Sequence, residues 1–403
     1  MRHILFVDDD PSVLQGLQRS LRSQRGEWEM SFAQEGDAAL AMMEATPFDV
    51  IVSDMKMPGI DGATLLGRAR ERFPEVIRII LSEHADLNAA FRAAPIAHQF
   101  LVKPCDASTL RVSIERACRL QNVLNNDALR RTVGSMHELP ALPRTYVALT
   151  EALENPDVSL DQVAKIVEQD VAIAAKILQL VNSSFFGLSR DVTNIQTAVS
   201  YLGTDNLKSL VLSFGVFRAF EQRELSADFS VEDFQSHAYL TAKIAESLPT
   251  VKYLADATAL AALLHDVGKL VLAAQMPDYF ARVLSEARER ERPAFEIELE
   301  LAGVTHAEIG AYLLGLWGLP SAIVEAVAHH HAPGRVPQQG IDALASVHIA
   351  HALALECRAS PATRLSPVTP AFDNAFIDAL GVADRLPEWR AMAQEIDQNL
   401  RNL

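Results

Sequence analysis

The sequence predicts two domains of different class: a doubly wound α/β domain with a five-stranded parallel sheet, followed by an all-α domain. Over about the first 120 residues, short uninterrupted apolar runs alternate with amphipathic segments of helical period. Strands that are apolar on both faces are typical of parallel sheets covered by helices. From residue 139 onward the apolar residues recur at helical spacing, which indicates a helical bundle. A chain of 403 residues is also too long for a single core.

The composition favours a cytoplasmic protein that binds neither DNA nor membranes. The 52 acidic and 36 basic side chains give a net charge of −16, which repels nucleic acid and anionic lipid surfaces. The three cysteines, Cys105, Cys118 and Cys357, have neither metal-type spacing nor an even number, so we expect a reducing compartment. The N-terminus lacks the apolar stretch of a signal peptide, and we expect no membrane-spanning segment.

The clearest elements of the first domain are four apolar runs and one helical stripe. The runs are Ile4–Val7, Asp49–Ser53, Val76–Leu81 and Phe100–Val102, and the stripe after the first run is Val13, Leu14, Leu17 and Leu21. The alternation of strand and helix predicts a sheet with its ligand site beyond the carboxyl ends of the strands.

Polar residues stand at those strand ends: Asp8, Asp9, Asp54, Ser82 and Lys103. Acidic loop residues are usually only solvated, but five suitable residues at strand ends argue against that interpretation. Three converging carboxylates would repel one another, and a Mg²⁺ ion would relieve the repulsion. Asp54 would then be a carboxylate nucleophile for a phosphoryl group, with Ser82 as a hydrogen-bond donor and Lys103 as an ion-pair partner.

Residues 1–120 resemble the receiver domains of two-component response regulators. The matching segments are Ile4–Asp9, Asp54–Gly62, Leu81–Ser82 and Lys103–Pro104. The resemblance implies that a sensor histidine kinase phosphorylates Asp54. It also implies that Asp8 and Asp9 hold Mg²⁺ together with the backbone carbonyl of Lys56, and that Phe100 is the aromatic side chain that moves with the switch.

A helical linker is expected at residues 121–138. A heptad-like stripe runs through Leu110, Ile114, Ala117, Gln121, Leu124 and Ala128. Its first half is explained by the last receiver helix packing on its own sheet. Its second half indicates either a helix that connects the domains or a helix that pairs two copies in a homodimer.

Residues 139–335 resemble the HDOD domain, a relative of the HD phosphohydrolases, and residues 336–403 are expected to be a helical extension that completes the bundle. The segments that carry the resemblance are Leu139–Pro143, Gln169–Asp170, Leu180–Ser183, Ala198–Gly203 and Leu263–Lys269. The resemblance implies an output that acts mainly through contacts with a protein or a nucleotide ligand, rather than through turnover.

Histidines nevertheless concentrate in this domain: eight of the twelve lie between His237 and His351. The order His237, His265, Asp266, His306, His330, His331 follows that of HD hydrolases. These donors suit a transition metal with an open position for water, and the alternative function is a receiver-gated, metal-dependent phosphohydrolase acting on a nucleotide. Any one of these histidines is more simply explained as a hydrogen-bonded core residue.

Two departures from the hydrolases count against turnover. The final aspartate ligand of that family is replaced by a helix that carries His348 and His351. The Gly-Tyr-Pro signature of the cyclic-di-GMP hydrolysing branch is absent, because the chain after His331 reads Ala332-Pro333-Gly334-Arg335.

Overall fold

The computed structural model describes residues 1–83, 96–103, 105–121, 143–155, 158–182, 191–213, 229–249, 255–336, 340–358 and 372–401. The described residues form two compact units, one consisting mainly of residues 1–121 and the other mainly of residues 143–401. The division confirms a two-part chain, with an α/β unit followed by a helical unit.

The α/β unit contains a five-stranded parallel sheet, as predicted. Its strands are β1 (Arg2–Val7), β2 (Trp28–Ala33), β3 (Val50–Asp54), β4 (Ile77–Glu83) and β5 (Gln99–Lys103), in the order β2-β1-β3-β4-β5. Its helices in the described residues are α1 (Pro11–Ser20), α2 (Gly36–Ala45), α3 (Gly62–Arg72) and α4 (Ala107–Gln121). The strand order reverses between β1 and β3, and ligands bind at such a point in open α/β sheets.

The loops at the carboxyl edge of the sheet are fixed by helix caps and one close backbone contact. Asp10 caps α1 by accepting a hydrogen bond from the Ser12 amide, and Asp61 caps α3 by accepting one from the Thr64 amide. A Cβ atom at Gly62 would lie 2.1 Å from the backbone oxygen of Asp54, so only glycine fits there. The start of α3 therefore packs directly against the end of β3.

Helix α4 packs within the α/β unit through Leu110, Ile114 and Ala117, which are fully buried. The first half of the heptad-like stripe is therefore a core face. Residues 122–138, which carry the predicted linker and dimer helix, lie outside the described residues.

The helical unit contains no strand among its described residues, in agreement with the predicted all-α class. Its helices are α5 (Pro143–Glu154), α6 (Leu160–Glu168), α7 (Val171–Val181), α8 (Ile195–Ser213), α9 (Val231–Ser247), α10 (Ala255–Leu264), α11 (Val267–Gln275), α12 (Pro277–Glu289), α13 (Ala294–Ala302), α14 (His306–Leu316), α15 (Ser321–His329), α16 (Ala343–Cys357), α17 (Asn374–Leu380) and α18 (Leu386–Arg401).

The predicted C-terminal extension supplies a central helix of this unit. Helix α16 is buried from Ala343 to Leu355 and packs against α9, α10 and α15. The stretch Ala255–Gln275 is long and apolar enough to cross a membrane, which the sequence analysis did not expect. However, 89% of its most apolar window is buried inside the protein, as in a core helix.

Candidate functional site

The first candidate site is a carboxylate cluster at the carboxyl edge of the sheet. Asp8 follows β1 and Asp54 ends β3, and both side chains are almost fully buried. Lys103, at the end of β5, places its Nζ 2.6 Å from Asp8 Oδ2 and 2.5 Å from Asp54 Oδ1. The fold thus brings together three of the five predicted strand-end residues: Asp8 and Asp54, which were predicted to hold Mg²⁺, and Lys103, which was predicted to pair with the phosphoryl group.

Backbone amides hold the two carboxylates in place. The Asp10 amide donates to Asp8 Oδ1 at 3.0 Å, and the Lys56 amide donates to Asp54 Oδ2 at 2.9 Å. Burial raises the pKa of the Asp54 carboxyl; the Lys103 ammonium offsets part of this rise, and the charge of Asp8 adds to it. The site is thus short of positive charge near Asp54.

The other predicted receiver residues are Asp9, Phe100 and Ser82. Asp9 is exposed directly beside Asp8, and Phe100 is buried in β5 with 2% exposure. The Ser82 side chain lies outside the described residues, although the backbone of Ser82 belongs to β4.

The second candidate site is a buried histidine cluster in the helical unit. We call His237, His265 and His351 the inner donor set, and His306, His330 and His331 the outer donor set. In each set the ligand atoms of the three histidines and Asp266 lie within 4.8 Å of one another. All five predicted residues, His237, His265, Asp266, His306 and His330, therefore meet in one place.

Asp266 faces both donor sets, with one carboxylate oxygen toward each. Its Oδ2 lies 3.3 Å from His265 Nε2 and 3.9 Å from His237 Nε2. Its Oδ1 lies 3.1 Å from His306 Nε2 and 3.6 Å from His330 Nε2. A carboxylate in this position can bridge two cations.

Hydrogen bonds fix which nitrogen of three rings carries the proton. The Nδ1–H of His265 donates to the Ala262 carbonyl at 2.6 Å, and that of His330 donates to the Val327 carbonyl at 2.8 Å. The Nδ1–H of His306 donates to Glu298 at 2.8 Å. In the neutral form all three rings therefore direct an Nε2 lone pair toward the cluster, as metal ligands do.

The remaining contacts bring nitrogen close to nitrogen. His351 Nδ1 lies 2.8 Å from His265 Nε2 and 3.1 Å from His237 Nε2, and His331 Nε2 lies 3.0 Å from His306 Nε2. Two nitrogens bound to one tetrahedral ion at about 2.0–2.1 Å would be about 3.3 Å apart, which is close to these separations. Among the described residues, His237 Nδ1, His330 Nε2 and His351 Nε2 have no hydrogen-bond partner.

Burial keeps most of these imidazoles neutral. It lowers the pKa of His330 to about 3 and lowers the pKa values of His237, His331 and His351 well below the usual value. For His306, burial also lowers the pKa, but the Glu298 and Asp266 carboxylates together outweigh it and the net shift is upward.

Asp266 remains ionised in spite of complete burial. Burial by itself raises its pKa, but the neighbouring His265 ring and the Lys269 ammonium hold the pKa well below the usual value. Lys269 Nζ donates to Asp266 Oδ2 at 2.6 Å, so one buried carboxylate has one buried ammonium as its direct partner.

Two residues that position this cluster were missed by the sequence analysis. Glu298 is fully buried and accepts hydrogen bonds from both the amide and the Nδ1–H of His306. It shares the buried face of α13 with Ala294 and Ile297, and a carboxylate on an apolar face was the available signal. A Cβ atom at Gly268 would lie 1.9 Å from the His306 carbonyl oxygen, so glycine is needed for α11 to approach α14.

His348 and His351, which the sequence analysis did not distinguish, have different roles. His351 belongs to the inner donor set. His348 lies outside both sets: its Nδ1–H donates to the His330 carbonyl at 2.8 Å, and its Nε2 accepts from the Asp373 amide at 3.1 Å. His348 therefore holds the backbone of His330 rather than offering a free nitrogen.

Comparison with known families agrees with this two-part architecture. The model of the response regulator receiver domain matches residues 4–115, and the model of the HDOD domain matches residues 139–333. The chain consists of a response regulator receiver domain followed by an HDOD output domain. His351 lies beyond the matched HDOD residues, so the family match alone does not include the complete inner donor set.

Relatives match only parts of the chain. An uncharacterized protein of Treponema pallidum is 30% identical over 207 residues, which are 50% of this chain and 39% of that protein. The DNA-binding transcriptional regulator NtrC of Salmonella typhimurium is 38% identical over 148 residues, which are 36% of this chain and 31% of the regulator. The chain thus spans well under half the length of these curated relatives.

Solved structures of response regulators are also similar. The MmoQ response regulator from Methylococcus capsulatus shares 21% identity with a TM-score of 0.49, over 64% of this chain and 98% of that chain. The signal receiver domain of an HD domain-containing protein from Pseudomonas fluorescens Pf-5 shares 29% identity with a TM-score of 0.29, over 30% of this chain and 97% of that chain.

Proposed function

We propose that Asp54 accepts a phosphoryl group from a sensor histidine kinase and that this phosphorylation controls the HDOD output domain. The observation that carries the proposal is the position of Lys103 Nζ, within 2.6 Å of both Asp8 and Asp54 at the switch point of the sheet. The buried Asp54 carboxylate is thereby held beside a cation that can pair with a phosphoryl oxygen.

The chemistry follows from these side chains. An oxygen of Asp54 attacks the phosphorus atom while the bond between phosphorus and the donor group breaks. Asp8, Asp9, Asp54 and the Lys56 carbonyl offer the oxygen donors that Mg²⁺ prefers, and bound Mg²⁺ would neutralise charge on the phosphoryl oxygens. Lys103 then pairs with the phosphoryl group, and we assign Ser82 a hydrogen bond to it and Phe100 the associated movement.

Labelling with a small phosphodonor such as acetyl phosphate tests this proposal. We expect labelling of the native chain in the presence of Mg²⁺, and none for Asp54→Asn or after chelation of Mg²⁺. Asp37→Asn is the control, because Asp37 is an exposed aspartate of the same domain whose described partner is Arg68. Stable labelling of Asp54→Asn would show that another residue is the phosphoacceptor.

Lys103 has a separate role in the switch. Lys103→Ala should still accept some phosphoryl group, but phosphorylation should no longer alter the HDOD domain, because the ion pair that rearranges is absent. Protease sensitivity of the HDOD domain with and without phosphodonor measures this. A response as large as that of the native chain would refute the assignment.

Two activities fit the HDOD output. The first is binding of a protein partner or a nucleotide ligand under control of the receiver. The three free thiols fit a reducing cytoplasm, where both kinds of partner occur. The second is metal-dependent hydrolysis of a phosphate ester such as a nucleotide, and the histidine cluster favours this one.

The donor chemistry of the cluster supports a metal centre. Six imidazoles and one carboxylate suit Fe, Mn or Zn better than Mg²⁺. Because Asp266 directs one oxygen to each donor set, we propose that each set together with Asp266 would hold one ion. Such ions would supply an activated water and polarise a phosphoryl oxygen. The two carboxylates of Asp266 and Glu298 carry less negative charge than two divalent ions and the Lys269 ammonium carry positive charge. The centre would therefore favour a negatively charged ligand.

Elemental analysis of protein purified without an affinity tag tests the metal centre. We expect a transition metal that is lost in the double variant His265→Ala, Asp266→Ala and retained in His329→Ala, whose histidine belongs to neither donor set. Assays with cyclic dinucleotides and other phosphate esters then test hydrolysis. A metal-free native protein would leave the binding function as the output.

A further inference from the structure

The two donor sets are built on different kinds of support. In the inner set, His237 lies within α9, His265 directly follows α10 and His351 lies within α16. These three helices pack against one another. In the outer set, His306 is the first residue of α14, and His330 and His331 follow the end of α15. Two of the three inner histidines thus lie inside packed helices, whereas all three outer histidines lie at helix ends, which open more readily.

The donor sets also differ in their access to solvent. All residues of the inner set are buried, with exposures of 1% for His237, 0% for His265 and 2% for His351. The outer set contains His331, the one partly exposed member of the two sets. The His331 ring stacks on Phe295, which is also partly exposed, at a centroid distance of 4.2 Å and an interplanar angle of 14°.

Stacking limits the movement of His331 without fixing it. The rings of His265, His306 and His330 are each held by an Nδ1–H hydrogen bond to a backbone carbonyl or to Glu298. The described contacts of the His331 side chain are ring contacts and the approach of its Nε2 to His306 Nε2 at 3.0 Å. Within the outer set, His331 is therefore the ligand that can leave an ion with the smallest change in the rest of the cluster. His237 Nδ1 and His351 Nε2 of the inner set also lack a partner among the described residues, but those two rings are buried inside α9 and α16.

We propose that the two metal positions are unequal. The inner position is closed and exchanges its ion slowly, while the outer position exchanges its ion and receives the phosphoryl ligand through the side where His331 and Phe295 meet solvent. This inference rests on the metal centre proposed above. It follows the general difference between closed metal sites and sites with a replaceable ligand.

Metal release from the full-length protein tests the inequality. Protein loaded with Zn²⁺ is mixed with a chromophoric chelator, and the bound metal and its release are followed together. We expect about two ions per chain and two phases of release, one fast and one slow. His331→Ala should lose the fast phase and about one ion per chain, while retaining the slow phase.

Variants of the inner set and of the stacking residue complete the design. His351→Ala should lose the slow phase, whereas His351→Asp, which restores a ligand at the same place, should regain it even if the alanine variant folds poorly. Phe295→Ala should speed the fast phase and leave the slow phase unchanged. His329→Ala is the matched control and should release metal like the native chain.

The results of these experiments distinguish the inequality of the two metal positions from the existence of the metal centre. A native protein that binds no metal overturns both proposals. Two ions released in a single phase, or loss of the slow phase in His331→Ala, would leave the metal centre intact but refute the inequality. Inorganic phosphate provides a second measurement: it should slow the fast phase only, and an effect confined to the slow phase would contradict the assigned entry side.

Discussion

The carboxylate cluster of the receiver and the histidine cluster of the HDOD domain solve a similar electrostatic problem in different ways. In each, a lysine ammonium lies within 2.6 Å of a buried aspartate: Lys103 beside Asp54 and Asp8, and Lys269 beside Asp266. The Lys103 side chain is 25% exposed, whereas that of Lys269 is 7% exposed. The first ion pair is therefore partly open to water, while the second is enclosed by protein.

The donors differ as well. The receiver cluster offers oxygen atoms at strand ends, where a new ligand can enter beyond the edge of the sheet. The HDOD cluster offers mainly imidazole nitrogens from packed helices and helix ends. Oxygen donors suit a hard, readily exchanging ion, and nitrogen donors suit a transition metal that stays bound. This contrast fits the two proposals made above, phosphoryl transfer at the receiver site and a metal cofactor at the HDOD site.

The largest expected effect comes from removing the two lysines in turn. Without divalent metal, Lys269→Met leaves the enclosed Asp266 carboxylate without its ammonium, and breaking such a buried pair typically costs about 3–5 kcal/mol. Lys103→Met should cost much less, because its site is partly open to water. Calorimetric unfolding of both variants in a chelator measures the difference. Equal losses would contradict the contrast between an open and an enclosed cluster.

Glu298→Gln should weaken metal binding while leaving most of the fold intact. The amide oxygen of glutamine can still accept from His306 Nδ1–H, but it lacks the carboxylate charge that strengthens this bond, and changing such a partner typically lowers metal affinity about 10- to 100-fold. Competition with a chelator of known affinity measures the change. Glu300→Gln, on the same helix but exposed and paired with Arg290, should bind metal like the native chain. An unchanged affinity in Glu298→Gln would show that the charge of Glu298 does not support metal binding through His306.

Gly268→Ala tests whether close helix approach assembles the HDOD cluster. The added methyl group would collide with the His306 carbonyl, and overpacking of this kind typically costs about 1–3 kcal/mol. Metal affinity should fall as well, since His306 must move away from Asp266. Gly340→Ala, which has open space around the new atom, should change stability by no more than about 0.5 kcal/mol. Thermal unfolding and metal titration of both variants provide the measurement.

The smallest expected change in stability is that of Asp54→Asn in the absence of Mg²⁺. Burial raises the pKa of this carboxyl above the ordinary 3.8 in the folded state, so its contribution to stability is present at low pH and is lost as the pH rises through the folded pKa. At neutral pH the carboxylate is therefore destabilising, and Asp54→Asn should raise the melting temperature in a chelator.

The pH dependence and Mg²⁺ sharpen this last prediction. The advantage of Asp54→Asn over the native chain should shrink as the pH falls from neutral toward the ordinary carboxyl pKa of 3.8, because the native carboxyl has a raised pKa and protonates within this interval. Mg²⁺ should raise the melting temperature of the native chain more than that of the variant. A variant that is less stable than the native chain at neutral pH in a chelator would show that the ion pair with Lys103 outweighs burial.

Much of the fold followed from local pattern. The apolar run Ile4–Val7 lies in β1, and residues 77–81 of the run Val76–Leu81 lie in β4, parallel to it in the same sheet. The carboxylate cluster could also be predicted from the sequence, because the carboxyl ends of parallel strands meet at one edge of the sheet. The assignment of the stretch 122–138 to a dimer helix stays a prediction.

The sequence by itself determined the two fold classes, the strand-end residues Asp8, Asp54 and Lys103, and the set of histidines worth considering. It did so because period, charge and residue type are local properties of the chain. Only the tertiary structure decided that His351 joins the inner donor set while His348 binds backbone, that Glu298 orients His306, and that Asp266 faces both sets. Those roles depend on the direction of each side chain from its helix and on which distant helices meet it, and spacing along one chain does not encode either.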